Sequence, residues 1–121
     1  MPKKILIIDD DPNIVTYLED FFSDNGYETC SASDGSEAMT VLKKEKPDLI
    51  TLDLEMPEEW GPRFYRKLMK EEEFRKIPVI VITGLTGGKY AIHKAVASIT
   101  KPFDRDKLLK IVKDTIDQTR I

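Results

Sequence analysis

The chain has 121 residues, 40% of them apolar and 34% charged, with a formal net charge of -3. A chain this long makes one domain, 1–121, which buries roughly two-thirds of its unfolded surface without covalent staples. The mild acidity argues against direct nucleic-acid binding, and no apolar run approaches the roughly twenty residues of a membrane span.

The N-terminus carries no signal-like apolar segment, so a cytoplasmic protein with no membrane insertion is expected. The one cysteine, Cys30, has no partner for an internal disulfide. This fits a reducing compartment, and the side chain is expected in the core. In chain order, Lys4 to Ile8 is an apolar strand run that delivers Asp9, Asp10 and Asp11 in succession. Asp11-Pro12 suits a helix start, since Asp caps free N–H groups and Pro fits the first helical turn. Ile14, Leu18, Phe21 and Phe22 then recur at helical spacing, and Asn25-Gly26 closes the helix. Tyr27 to Ala32 reads as a second strand, and Ser33-Asp34-Gly35-Ser36 as a turn. A short helix follows through Glu37, Ala38, Val41 and Leu42 to about Lys46.

Leu49 to Leu52 is the central strand, and it surfaces at Asp53 before a loop over 54 to 60. Gly61-Pro62 opens a third helix through Phe64, Leu68 and Met69, closed by the charges from Glu71 to Lys76. Pro78 to Thr83, apolar on both faces, has the pattern of a buried parallel strand. Gly84, Gly87 and Gly88 connect it to a helical segment at 89 to 96, and a short strand from Ser98 to Thr100 leads to Lys101-Pro102-Phe103. Asp104 caps the last helix, with Leu108, Leu109, Val112 and Ile116 as its packing stripe. This alternation predicts an α/β fold, with a five-stranded parallel sheet covered by helices on both faces.

Four strands end in functional groups: Asp9 and Asp10, Asp53, Thr83, and Lys101. In open α/β sheets that edge is where ligands bind. Gathered carboxylates repel one another unless a cation joins them, and hard oxygen ligands suit Mg²⁺. With part of the charge neutralised, the Asp53 carboxylate is a competent nucleophile toward phosphorus. The Thr83 hydroxyl and Lys101 ammonium supply a donor and a positive charge for phosphoryl oxygens. The expected product is an aspartyl phosphate.

Over its whole length the chain resembles the receiver domains of bacterial two-component response regulators. The resemblance rests on the acid pair after the first strand, on Asp53-x-x-Met56-Pro57 with Gly61 eight residues after the Asp, on Thr83-Gly84, and on Lys101-Pro102-Phe103. It implies a flavodoxin-like sheet of order 2-1-3-4-5. It further implies that Asp53 accepts phosphate from the phosphohistidine of a sensor histidine kinase or histidine phosphotransfer protein. Asp9 and Asp10 would bind Mg²⁺ with Asp53 and the Glu55 carbonyl, and Thr83 and Lys101 would contact the phosphoryl group. The output would be a downstream protein or a fused domain, from a monomer or a phosphorylation-dependent homodimer.

Two departures stand out against that family. Ser98 occupies the place, three residues before the Lys, where relatives carry an aromatic coupled to the Thr. The interval from Thr83 to Lys101 is shorter than usual by about four residues, roughly one helical turn, which implies a shortened fourth helix. Glu55, Gly84 and Leu85 stand where residues modulate the lifetime of the phosphoryl group. Asp11 is expected as a cap, His93 and Lys107, Lys110 and Lys113 as solvated, and Trp60 as a packing residue in the loop. The rival readings are a small Mg²⁺-dependent phosphatase with an Asp nucleophile and a phosphorylation-independent receiver acting as a binding module. Against the first, the acid pair leads the chain here instead of ending it.

Overall fold

The computed structural model describes residues 2–53, 60–83, 97–100 and 104–118. Along the chain these form β1 (Lys4–Ile8), α1 (Pro12–Asp24), β2 (Glu28–Ala32), α2 (Gly35–Glu45), β3 (Leu49–Leu52), α3 (Trp60–Lys70), β4 (Val79–Thr83), β5 (Ala97–Thr100) and α4 (Arg105–Gln118). The strands hydrogen-bond in the order β2-β1-β3-β4-β5, every pair parallel. The predicted helical segment at 89 to 96, with His93, lies outside the described residues.

Strand side chains alternate between faces, and each face has its own core. Leu6, Ile8, Ile50, Leu52, Val79 and Val81 pack against Ala38 and Leu42 of α2 and Phe64 and Leu68 of α3. Ile5, Ile7, Leu49, Ile80 and Ile82 pack against Leu18 and Phe22 of α1 and Leu108, Val112 and Ile116 of α4. Helices therefore cover both faces. Both sides of β1 and β3 are dry, which explains the apolar runs from Ile5 to Ile8 and from Leu49 to Leu52, interrupted only by the buried Thr51.

The helix starts follow the expected local chemistry. Asp11 caps α1 and accepts from Asn13 N–H at 2.9 Å, with Pro12 in the first turn. Asp34 caps α2, accepting from Glu37 N–H at 2.8 Å, and Asp104 accepts from Asp106 N–H at 2.9 Å at the head of α4. After α1, Gly26 takes φ +90°, a conformation that favours glycine.

Several expectations need correction. Cys30 is only half-buried, because β2 is the sheet edge and its pattern is mostly intermediate. Burial still pushes its thiol up to about 11. Trp60 belongs to the first turn of α3, not to the loop; Pro62 lies within that turn, where its missing N–H costs nothing. On α4, Leu109 is half-exposed while Thr115 is buried. Phe74, inside the charged run after α3, is buried at 2% exposure and joins the α2/α3 core. A turn in which Phe74 N–H donates to the Glu71 carbonyl at 3.0 Å carries it there.

Candidate functional site

The parallel ladder sets the acids side by side. Ile8 pairs with Leu52, so the next residue on each strand, Asp9 and Asp53, leaves the sheet at the same level. The ladder runs one step past the strands, with Asp53 N–H donating to the Ile8 carbonyl at 3.0 Å and Asp9 N–H to the Ala32 carbonyl at 3.2 Å. These bonds fix the backbone at both acids.

Asp9 and Asp53 are each 3% exposed, whereas Asp10, which begins the turn into α1, is exposed. One carboxylate oxygen from each of the three lies within 4.8 Å of the others. Hence two acids are buried against the sheet and the third faces the solvent entrance. Bringing three like charges so close costs free energy unless positive charge answers them. Three hard oxygen donors converging on one point match what Mg²⁺ accepts from protein, with water completing its shell. The donor set fits the ion.

Around this cluster the neighbouring strands contribute further ends. Val81 is level with Leu52, so Thr83, the last residue of β4, stands one step beyond Asp53. Thr83 is in turn level with Thr100 of β5, the residue before Lys101 in sequence. Ser98 is placed in β5 beside Val81. Lys101, Glu55, Gly84 and Leu85 lie outside the described residues. Sequence reasoning placed Asp11 as a cap and not as a ligand, and the structure agrees: it caps α1 and is absent from the converging group. What that reasoning missed is the Asp11 backbone, whose N–H donates to Asp9 Oδ1 at 2.9 Å. Only the i to i+2 spacing of the two aspartates hinted at it.

The profile of the response regulator receiver domain matches residues 5–113, and the chain belongs to that family. Protein Rrf1 of Nitratidesulfovibrio vulgaris is 36% identical over 112 residues, covering 93% of this chain and 81% of that protein. Transcriptional regulatory protein GlrR of Escherichia coli is 32% identical over 122 residues covering 98% of this chain, which spans only 27% of GlrR. Among solved structures, the receiver domain of sensor histidine kinase PA1611 from Pseudomonas aeruginosa is 26% identical, with a TM-score of 0.86. That match covers 97% of this chain and 99% of that one, and the structure is described with a magnesium ion coordinated in the active site cleft.

The chain is thus a phosphorylation-dependent signalling receiver of the two-component type, a signalling module and not a classical enzyme. Neither the phosphatase nor the binding-module reading is favoured. No helix among the described residues is long and apolar enough to cross a membrane.

Proposed function

We propose that Asp53 is the phosphoacceptor and that Asp9, Asp10 and Asp53 hold Mg²⁺, with the Glu55 carbonyl as a further ligand. The convergence of the three carboxylates within 4.8 Å at the ends of β1 and β3 carries this reading. An Asp53 oxygen attacks the phosphorus of a partner's phosphohistidine, the P–N bond breaks, and its electron pair leaves on the imidazole nitrogen, which takes a proton. Bound Mg²⁺ supplies positive charge that lowers the repulsion between the acids and the incoming phosphoryl oxygens. The Thr83 hydroxyl and the Lys101 ammonium contact those oxygens. Water later attacks the acyl phosphate, returning the Asp53 carboxylate and inorganic phosphate. The chain promotes both steps only on itself.

The phosphoryl group comes from a sensor histidine kinase or a histidine phosphotransfer protein in the cytoplasm. The phosphorylated state changes binding to a downstream protein or a fused output domain, as a monomer or as a homodimer. With Ser98 where relatives carry an aromatic, and with an interval from Thr83 to Lys101 shorter than usual by about four residues, the output differs from the common mode. Glu55, Gly84 and Leu85 set the lifetime of the phosphoryl group.

Intact-mass measurement with acetyl phosphate tests the reading. One phosphoryl adduct is expected, dependent on Mg²⁺ and lost in Asp53→Asn. A folded protein that takes up none, or an adduct that survives in the variant, overturns it. For the altered output, hydrogen exchange over 84–100 with and without a phosphoryl mimic is the test; the usual protection and response would refute it.

A further inference from the structure

Two hydrogen bonds run in series through the turn between β1 and α1. Asp11 N–H donates to Asp9 Oδ1 at 2.9 Å, and Asn13 N–H donates to Asp11 Oδ1, also at 2.9 Å. Asp11 itself is held extended at φ -92° and ψ 109°, and its carbonyl accepts the first bond of α1 from Val15 N–H at 3.1 Å. The residue that starts the helix is therefore the same residue whose N–H grips the buried acid. Its side chain is exposed and stands outside the converging carboxylates.

We propose that Asp11 is a positioning residue for the cation site: its side-chain cap fixes the turn so that its backbone N–H holds Asp9 in the orientation that converges with Asp10 and Asp53. This rests on the reading of those three acids as the Mg²⁺ site. The physical need is specific. Asp9 and Asp53 are both buried at 3% exposure and repel each other, which tends to rotate the Asp9 carboxylate, and with it the oxygen that accepts from Asp11 N–H, away from Asp53. An N–H on that oxygen opposes the rotation before the ion arrives, and the positive end of α1 offsets part of the charge. Groups that orient a ligand in this way govern metal affinity nearly as much as the ligands themselves. What matters in Asp11 is the acceptor oxygen on its side chain, not its negative charge.

Three variants separate cap from charge: Asp11→Ala removes both, Asp11→Asn keeps an acceptor without the charge, and Asp11→Ser restores a different capping oxygen. Mg²⁺ alone is titrated into each by calorimetry, with thermal unfolding followed in parallel. Asp11→Ala is expected to weaken Mg²⁺ binding about tenfold, the lower end for loss of an orienting partner. Asp11→Asn and Asp11→Ser should stay within about twofold of the parent, set by the loss of one exposed charge. Equal weakening in all three would make the charge responsible and overturn the proposal. So would an Asp11→Ala protein that unfolds earlier but binds Mg²⁺ normally, since the cap would then serve stability alone. Failure of the parent chain to bind Mg²⁺ would instead remove the cation site itself, and the positioning role with it.

Discussion

The two ends of the central strands handle their carboxylates in opposite ways. At the N-terminal end each acid lies beside a lysine ammonium. Lys4 Nζ pairs with Glu45 Oε1 at 3.0 Å, Lys3 Nζ lies 4.0 Å from Asp48 Oδ1, and Asp48 Oδ2 accepts from Lys4 N–H at 2.9 Å. The Asp48 N–H also donates to the Lys4 carbonyl at 2.8 Å, so β1 and β3 are stapled there by backbone and side chain together. At the C-terminal end, Asp9, Asp10 and Asp53 converge on one another within 4.8 Å. Acids at the first end staple the strands, whereas those at the second are gathered against one another, the pattern that marks a functional site.

The largest contrast comes from removing one acid at each end. Asp53→Asn is expected to abolish phosphoryl uptake while keeping the chain folded, relief of the repulsion with the buried Asp9 offsetting what the other contacts of Asp53 lose. A melting point clearly below the parent's would place Asp53 among the structural acids. Asp48→Ala should do the reverse, costing about 1–2 kcal/mol in urea unfolding through the lost acceptor for Lys4 N–H, with phosphoryl uptake unchanged. Unaltered stability there would dissolve the staple.

A smaller effect sharpens the comparison through pH. The hydrogen bond from Lys4 holds the Glu45 carboxyl below its ordinary 4.5 and, from the other side, holds Lys4 above its ordinary 10.5. A carboxyl with a depressed folded pKa stabilises above its unfolded pKa, and this stability is lost as pH falls through the folded value. A lysine with a raised folded pKa stabilises below its unfolded value, and the contribution is lost as pH rises through the folded one. Glu45→Gln should therefore lower stability across the middle of the pH range, where both contributions are present, and converge with the parent at the acid and alkaline ends, as denaturant midpoints across pH would show. A full acid slope in the variant would dismiss the pair.

The smallest effect concerns Cys30. With its thiol pushed up to about 11 by burial, it should react slowly with a disulfide reagent at pH 8 in the folded chain and at the ordinary thiol rate in urea. Fast reaction in the native state would contradict the partial burial of the Cys30 thiol.

Much of this was legible before any coordinates. Apolar runs that stop on Asp9, Asp53 and Thr83 mark the strands and the edge together, because a buried parallel strand stays nearly all apolar, with Thr51 the exception in β3, until it surfaces. The caps at Asp11 and Asp104 were readable from residue type alone, whereas Asp34, expected in a turn, proves to cap α2, which takes in Gly35 and Ser36. What escaped follows from tertiary contact. Phe74 sits among Glu71, Glu72, Glu73, Arg75 and Lys76, where no period marks an inward residue; only the turn onto the α2/α3 core buries it. Thr115 stands in for Leu109 on the buried stripe of α4 because it lies one helical turn on from Val112, on the face that Leu108, Val112 and Ile116 present to the core. The hydrogen bond from Asp11 N–H to Asp9 is a backbone event, to which residue type gives no direct clue.

The most direct test of the division between the two ends is amide NMR of the full chain, titrated with Mg²⁺ and then with beryllium fluoride as a phosphoryl mimic. Shifts are expected to begin at Asp9, Asp10, Asp11 and Asp53 with Mg²⁺ and to extend to Thr83 with the mimic, while Lys4, Glu45 and Asp48 stay still. Shifts centred on Glu45 and Asp48, or none at Asp53 with both additions, would contradict that division.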